Sequence, residues 1–422
     1  MKRLFAILLT LCLLLSLASA SAAQNIDALR IIDGWGTYEV YAEQHPDHPI
    51  DILNQSNDGD AVFDLLGTIH SGEWDVAIVP TRDVNLQALY NAGMLADLSS
   101  DEAIAAQVAG MYTPVRDAVT MDGKTIGVPL LMFGLTQHIS LTDDADTLTQ
   151  LSMSDAEKPT NFKELAGLCD RYMALDAETR RGTAFYGDIN PSYARQYFIE
   201  LFASMYAAEN RKKDGRVDFN TDAFREGIAL CDYIGETMQS QKTLYKKESS
   251  SLHFLTYDAS SHWFENINQG LCVLTAGTEK QCPASLDVFI VNAQSSRKEQ
   301  AIDFVRTCMN AHPDWTGVQM MAQIDYDALA KFSYDRDIAA QIEQHENQSV
   351  IDRLTAERDS GNYTRFYPEW TLETYRAEIA PYLTFPYAPY IDAYTPAQDY
   401  VAGKLDMDGL IERLGQEMEK AL

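Results

Sequence analysis

The first third of the chain switches between two hydrophobic periods. Leu29-Arg30-Ile31-Ile32-Asp33 is a short apolar run that breaks at Gly34-Trp35-Gly36, and residues 37–44 continue as a helix stopped by Pro46 and Pro49. Ile50-Asp51-Ile52-Leu53 predicts a second strand. Residues 61–70 repeat Val62, Leu65, Leu66 and Ile69 at helical spacing and stop at Ser71-Gly72. Asp75-Val76-Ala77-Ile78-Val79-Pro80 predicts a third strand, apolar throughout, as a parallel strand covered on both faces would be. A further helix over 85–92 ends at Gly93. Strand, helix, strand, helix, strand is the grammar of a parallel α/β sheet.

Asp122-Gly123-Lys124 predicts a turn that leads into the strand Thr125-Ile126-Gly127-Val128-Pro129. The middle of the chain is mainly helical, over 161–174, 194–209 and 221–239, with strands at 182–187 and 271–274. A strand over 284–292 is followed by a polar turn and a helix over 298–310. The last hundred residues read as helical and rich in tyrosine, ending in an amphipathic stretch over 407–422. Tyr382, Tyr387, Tyr390, Tyr394 and Tyr400 are read as helix packing around the neighbouring prolines.

A length of 422 residues exceeds one compact core and fits two domains. Charge is the outlying property, with 33 Lys and Arg against 62 Asp and Glu, a net −29. Such a surface repels phosphate backbones and argues against a nucleic-acid partner. Lys2 and Arg3 followed by the apolar run 4–17 and small residues at 18–23 form a secretory signal peptide over residues 1–23. The run is shorter than the roughly 20 residues a membrane helix needs, so the expected product is exported and soluble. Without residues 1–23 the chain keeps 31 basic against 62 acidic residues, or −31. Leu11 precedes Cys12 where lipid attachment wants a small residue, so no lipid anchor is expected.

Candidate chemistry is sparse. Cys169, Cys231, Cys272, Cys282 and Cys308 read as small buried hydrophobes, with Cys272–Cys282 the shortest loop a disulfide would close. His45-Pro46-Asp47-His48 reads as a solvated loop in preference to a metal pair, since no third ligand lies near in sequence. Asp406-Met407-Asp408-Gly409 reads as a helix N-cap and lacks the ligand count of a calcium loop. No G-x-S-x-G, H-E-x-x-H or phosphate-loop sequence is present, and neither a cofactor nor a metal is expected. Trp74, before the third strand, reads as structural, as do Trp315 and Trp370.

The order of these segments resembles a known family. Residues 65–76, Leu-Leu-Gly-Thr-Ile-His-Ser-Gly-Glu-Trp-Asp-Val, are similar to its helix, Ser/Gly turn and Asp-Val strand. Residues 89–98, Leu-Tyr-Asn-Ala-Gly-Met-Leu-Ala-Asp-Leu, resemble its helix-Gly-Leu element, and residues 120–129, Thr-Met-Asp-Gly-Lys-Thr-Ile-Gly-Val-Pro, match its Asp-Gly-Lys turn and Gly-Val-Pro strand. Residues 267–277, 296–305 and 405–411 are similar to three later pieces. Each motif is common alone; their order and spacing resemble the sugar-binding type, family 1, of extracellular solute-binding proteins of bacterial ABC importers. Two features depart from it: the lipidated cysteine is missing, and Thr278-Glu279 stand where an aromatic residue is usual.

The resemblance implies a two-lobed α/β fold of the periplasmic-binding-protein type, type II, with a ligand cleft between lobes and several chain crossings. The expected lobes are residues 24–132 with 284–325, and 133–283 with 326–422. It further implies a monomer that delivers a small polar solute, most often a mono- or oligosaccharide, to a membrane permease, with no catalysis. A secreted carbohydrate-active enzyme and a ligand-presenting sensor module are the alternatives. Open α/β sheets bind ligands beyond the carboxyl ends of their strands. Residues just after strands are therefore the ligand-binding candidates: Trp35, Thr81, Arg82, Phe133, Tyr186, Asp188 and Asn190, with Trp263 before the Gly270 segment. Met132, Tyr193 and Phe264 lie beside them. Aromatic planes suit the C–H faces of a sugar, and Asp, Asn and Arg suit its hydroxyl rim.

Overall fold

A computed structural model describes residues 28–54, 64–134, 137–140, 159–176, 184–187, 191–212, 214–240, 251–258, 271–272, 274–277, 279–311, 320–360 and 370–422. The alternation read from the sequence is present. Strands β1 (Leu29–Ile32), β2 (Ile50–Ile52) and β3 (Val76–Pro80) are joined through helices α1 (Tyr38–Gln44) and α2 (Leu65–Ser71). β1 lies between β2 and β3, parallel to both. Helices α3 (Leu86–Asn91), α4 (Glu102–Ala109) and α5 (Thr113–Ala118) follow. Asn85 and Asp101 cap α3 and α4, accepting from Ala88 N and Ile104 N. These bonds satisfy amides that a helix start otherwise leaves bare.

The Asp122-Gly123 turn joins β4 (Thr120–Met121) to β5 (Lys124–Thr125), with both turn residues at positive φ, 51° and 77°. The Gly-Val-Pro strand starts later and runs further than its sequence predicts, as β6 (Val128–Gly134). Phe133 therefore lies within the strand, and Met132 is buried in the core. After β7 (Gln137–Ser140) come α6 (Phe162–Ala174), β8 (Ala184–Gly187), α7 (Ala194–Glu209), α8 (Asp222–Ser240), β9 (Ser251–Asp258) and β10 (Leu271–Cys272). Strands β10, β7, β9 and β8 form a second sheet in that order. β9 had no counterpart in the sequence reading.

β11 (Cys282–Val291) is buried at every position. It runs antiparallel to β3 on one side and to β6 on another, and its start pairs in parallel with β12 (Leu383–Thr384). Between β11 and β12 lie α9 (Lys298–Cys308), α10 (Tyr326–Gln344), α11 (Gln348–Asp359) and α12 (Trp370–Glu378). Helices α13 (Tyr394–Val401) and α14 (Met407–Ala421) close the chain. Asp406 caps α14 through Gly409 N, as the sequence predicts.

Two separate hydrophobic cores result. The first gathers residues of 29–132, 282–308 and 320–383; the second gathers 162–238 with Leu274 and residues 393–418 of α13 and α14. The chain passes between them three times: after Phe133, between Leu274 and Cys282, and between Leu383 and Ala393. The lobe boundary read from the sequence needs one correction. Residues 326–383 were expected in the second lobe, yet Tyr334, Ile338, Leu354, Leu372, Tyr375 and Ile379 bury in the first core. The Tyr112 and Tyr375 rings meet edge-on at 5.9 Å, and Arg376 donates to the Ala322 carbonyl, so these helices close over α5.

Cys169, Cys231, Cys282 and Cys308 are buried free thiols. A Cys272–Cys282 bridge is therefore not formed. Burial pushes the Cys169, Cys282 and Cys308 thiols up to about 12, which leaves them protonated and inert. Trp74 is buried and donates to the Ile69 carbonyl, the structural part its position predicts. Trp315 lies outside the described residues, as does the side chain of Trp370. The tyrosines of 382–390 depart from the expected helix packing. Residues 385–393 are irregular, and Tyr390 is 76% exposed.

Candidate functional site

A cavity of about 470 Å³ opens at the carboxyl ends of the parallel strands. Its lining comes from the loops after β1 (Gly34, Trp35) and β2 (Asn54), the end of β3 and the turn after it (Pro80, Arg82), the end of β6 (Phe133, Gly134) and the middle of β11 (Ser285, Asp287). This is where an open α/β sheet offers a ligand free backbone and converging loops. All the lining residues are in or beside the first core.

Trp35 is the organising side chain. The loop that carries it folds around the buried Asp33 carboxylate, which accepts from Trp35 N at 2.8 Å, Thr37 Oγ1 at 2.7 Å and Tyr38 N at 2.8 Å. Asp33 N in turn donates to Asn54 Oδ1 at 3.0 Å, tying the β1 loop to the β2 loop. Gly36, at φ 75°, supplies the left-handed residue that the return into α1 needs. The indole then lies nearly parallel to the Phe133 ring, with centroids 5.6 Å apart and planes at 13°. Its Nε1 donates to Asp287 Oδ2 at 2.7 Å. An aromatic plane that is 45% exposed is thus held by three separate elements. Exposure without freedom is what a preorganised platform requires, because little rotamer entropy is left to lose on binding.

Asp287 is 7% exposed. It sits opposite Pro80 of β3 and Leu131 of β6, where the β11–β6 register shifts by a bulge between Asp287 and Val288. Burial raises its pKa; the Trp35 hydrogen bond and the nearby Arg82 charge pull the other way. Two residues earlier, Ser285 faces the same side of the strand and its Oγ accepts from Arg82 N at 3.3 Å. The Arg82 guanidinium pairs with Asp83 at 3.3 Å while its carbonyl accepts from Ala388 N at 2.9 Å, on the third crossing. The cavity therefore offers an apolar plane, a buried carboxylate acceptor, a guanidinium donor, and amide and hydroxyl groups from Asn54 and Ser285.

Three of the eight candidates read from the sequence, Trp35, Arg82 and Phe133, meet in this cavity. Thr81 is buried outside the lining. Its amide donates to the Leu286 carbonyl at 2.8 Å and its hydroxyl accepts from Leu286 N at 2.9 Å, which stitches β3 to β11. Tyr186 falls on β8, paired with His253, but its side chain lies outside the description. Asp188, Asn190, Trp263 and Phe264 lie outside the described residues. Tyr193 is exposed on a single 3-10 turn, Pro191–Tyr193.

Asp287, Ser285, Asn54 and Asp33 were missed. A signal existed for the first two: Ser285 and Asp287 are alternate polar positions inside an otherwise apolar strand, where an acid is costly without a purpose. The histidines at 45 and 48 pack against α1. His45 stacks on Tyr41 at 4.4 Å and His48 Nδ1 lies 2.9 Å from Tyr41 Oη. Among the described residues, no group of three or more His, Cys, Asp or Glu is placed to hold a metal ion.

Comparison with known proteins places this geometry in context. No curated protein sequence matches the chain. Among solved structures, a Listeria monocytogenes ABC substrate-binding protein in complex with cycloalternan is 14% identical with a TM-score of 0.46, covering 93% of this chain and 97% of its own. Maltose-bound MalE3 of T. maritima is 13% identical with a TM-score of 0.48, covering 94% and 100%. A solute-binding protein of Agrobacterium vitis with bound D-mannitol is 12% identical with a TM-score of 0.45, covering 93% and 97%. The model of the family described as bacterial extracellular solute-binding protein matches residues 37–314, well over half of the sequence, from the end of the Trp35 loop through β11 and α9. The chain belongs to the bacterial extracellular solute-binding protein family.

Proposed function

We propose that this protein captures a carbohydrate, a mono- or oligosaccharide, in the cleft beside Trp35 and delivers it unaltered to the permease of an ABC importer. The observation that carries the reading is the pinned indole. A sugar ring presents a flat C–H face that an aromatic plane covers, and a rim of hydroxyls that a carboxylate and a guanidinium satisfy with charge-assisted hydrogen bonds. Trp35 on Phe133, Asp287 and Arg82 supply that set within one cavity. Micromolar capture needs about 8 kcal/mol net, within reach of one or two stacked rings and such a polar set. In this reading a ligand that also touches the second core would favour a closed form, and the permease recognises that form. The exported form begins after the signal segment 1–23 and acts as a soluble monomer without a cofactor.

A thermal-shift screen of the mature chain over sugars, amino acids and polyamines tests the reading, with chromatography of the recovered ligand. A saturable rise in Tm with a sugar returned intact is the expected result, since a ligand bound only by the folded form stabilises it. Cleavage of the sugar would instead make the protein an enzyme, and stabilisation by an amino acid or polyamine alone would overturn the carbohydrate assignment.

A further inference from the structure

On the second chain crossing, from Leu274 in one core to Cys282 in the other, three donors converge on one carboxylate. Glu209, the last residue of α7, accepts from Gly277 N at 2.7 Å and Thr275 Oγ1 at 2.8 Å through Oε2, and from Ala276 N at 3.0 Å through Oε1. The approach is close: a Cβ on Gly277 would lie 3.2 Å from Glu209 Oε2. Thr275 N donates to the Thr160 carbonyl, which fastens the same segment to the start of α6.

The hydrogens around Thr275 do not balance if Glu209 is ionised. Thr275 Oγ1 is 2.8 Å from Glu209 Oε2 and 2.9 Å from the Glu279 carbonyl, so two acceptors face one hydroxyl hydrogen. One added proton resolves this. With Oε2 protonated, Glu209 donates to Thr275 Oγ1 and Thr275 donates to the Glu279 carbonyl, while lone pairs of the carboxyl group still receive both amides. We propose that Glu209 holds the crossing as a protonated carboxyl, the first link of a relay through Thr275 to Glu279. Departure of the proton to solvent leaves the Thr275 hydroxyl to choose one acceptor, and the bond to Glu209 or to the Glu279 carbonyl is lost. The crossing between the cores is thereby sensitive to pH.

The surroundings agree. Burial lifts the Glu209 carboxyl to about 7, against the pull of its three donors. The other charged groups of the packed elements are engaged elsewhere. Lys280 pairs with Glu378 at 2.5 Å, Arg211 donates to the Gly215 and Pro389 carbonyls, and Glu164 accepts from Thr160. The Cys282 thiol at the head of β11 feels the charge of Glu209 but stays neutral.

Infrared spectroscopy of the mature chain, titrated from about pH 5 to pH 9 without ligand, tests the proposal directly. The expected result is a carboxylic-acid carbonyl band that fades with a midpoint near neutrality and is missing from Glu209→Gln. In Thr275→Val, which keeps the volume and removes the hydroxyl, the band moves to higher frequency because the acid proton has lost its acceptor. No such band in the wild type, a band that persists in Glu209→Gln, or an unmoved band in Thr275→Val would each overturn it. If Glu209→Gln does not fold, the wild-type and Thr275→Val spectra decide. No sugar is involved, so a negative outcome leaves the capture reading standing.

Discussion

At the scale of single residues, the candidate site is a pinned indole beside a buried acid. Trp35→Ala removes the exposed plane and its stacking on Phe133, at a cost of roughly 1.5–3 kcal/mol in binding, or about 10- to 100-fold in Kd. Fold stability should fall as well, by about 1–3 kcal/mol, because the buried Asp287 loses the indole donor; calorimetry for binding and thermal melts for stability separate the two effects. Asp287 invites the opposite pattern. Its folded-state pKa is raised, so the folded protein retains a proton that the unfolded chain would release, and ionisation at neutral pH opposes folding. Asp287→Asn should therefore melt at or above the wild-type temperature near pH 7, with the advantage vanishing as pH falls toward the ordinary carboxylate value of 3.8. Ligand affinity should fall by about tenfold in the same variant, since a neutral amide is a weaker acceptor than a carboxylate. A variant that melts well below wild type at pH 7 would contradict this account of Asp287.

At the scale of elements, packing decides what the sequence shows and what it hides. The β1-to-β3 alternation was legible because each strand is a dense apolar run and each helix has a periodic face bounded by Gly, Pro or an Asn or Asp cap. Trp35, Arg82 and Phe133 were legible because the carboxyl ends of such strands are where ligands sit. Asp287 was not, because β11 comes late in sequence and joins the site by pairing antiparallel to β3 and β6, a long-range choice that no local pattern encodes. The membership of α10 to α12 in the first core was equally hidden, since an amphipathic helix does not say which core it covers. Thr81 looked like a ligand contact because it follows a strand, yet its hydroxyl is consumed in joining β3 to β11. Helix packing also yields a test remote from the site. A Cβ on Gly227 of α8 would lie 1.8 Å from Phe202 Cζ of α7. Gly227→Ala should therefore destabilise the second core by about 1–3 kcal/mol through overpacking, read as a lower denaturant midpoint. An unchanged midpoint would mean that α7 and α8 are not packed as described.

At the scale of the whole molecule, two cores are joined by three crossings, and the proposed function requires them to close on a guest. The crossings differ in how they are fixed: the one at 274–282 through Glu209, and the one at 383–393 through Ala388 N to the Arg82 carbonyl and the Pro389 carbonyl to Arg211. The latter ties the pocket lining to the path between the cores. Small-angle scattering with saturating sugar should show a smaller radius of gyration than the free protein, and an unchanged radius would argue for a rigid site on the first core alone. The central claim is sharper than closure: a sugar binds on the face of Trp35 and leaves unchanged. Isothermal titration calorimetry of wild type and Trp35→Ala over the same oligosaccharides, with the cell contents chromatographed afterwards, tests it most directly. The account predicts saturable binding of an intact sugar by the wild type and at least a tenfold loss in Trp35→Ala, about 1.4 kcal/mol; equal affinity in the two proteins, or a sugar recovered in pieces, would contradict it.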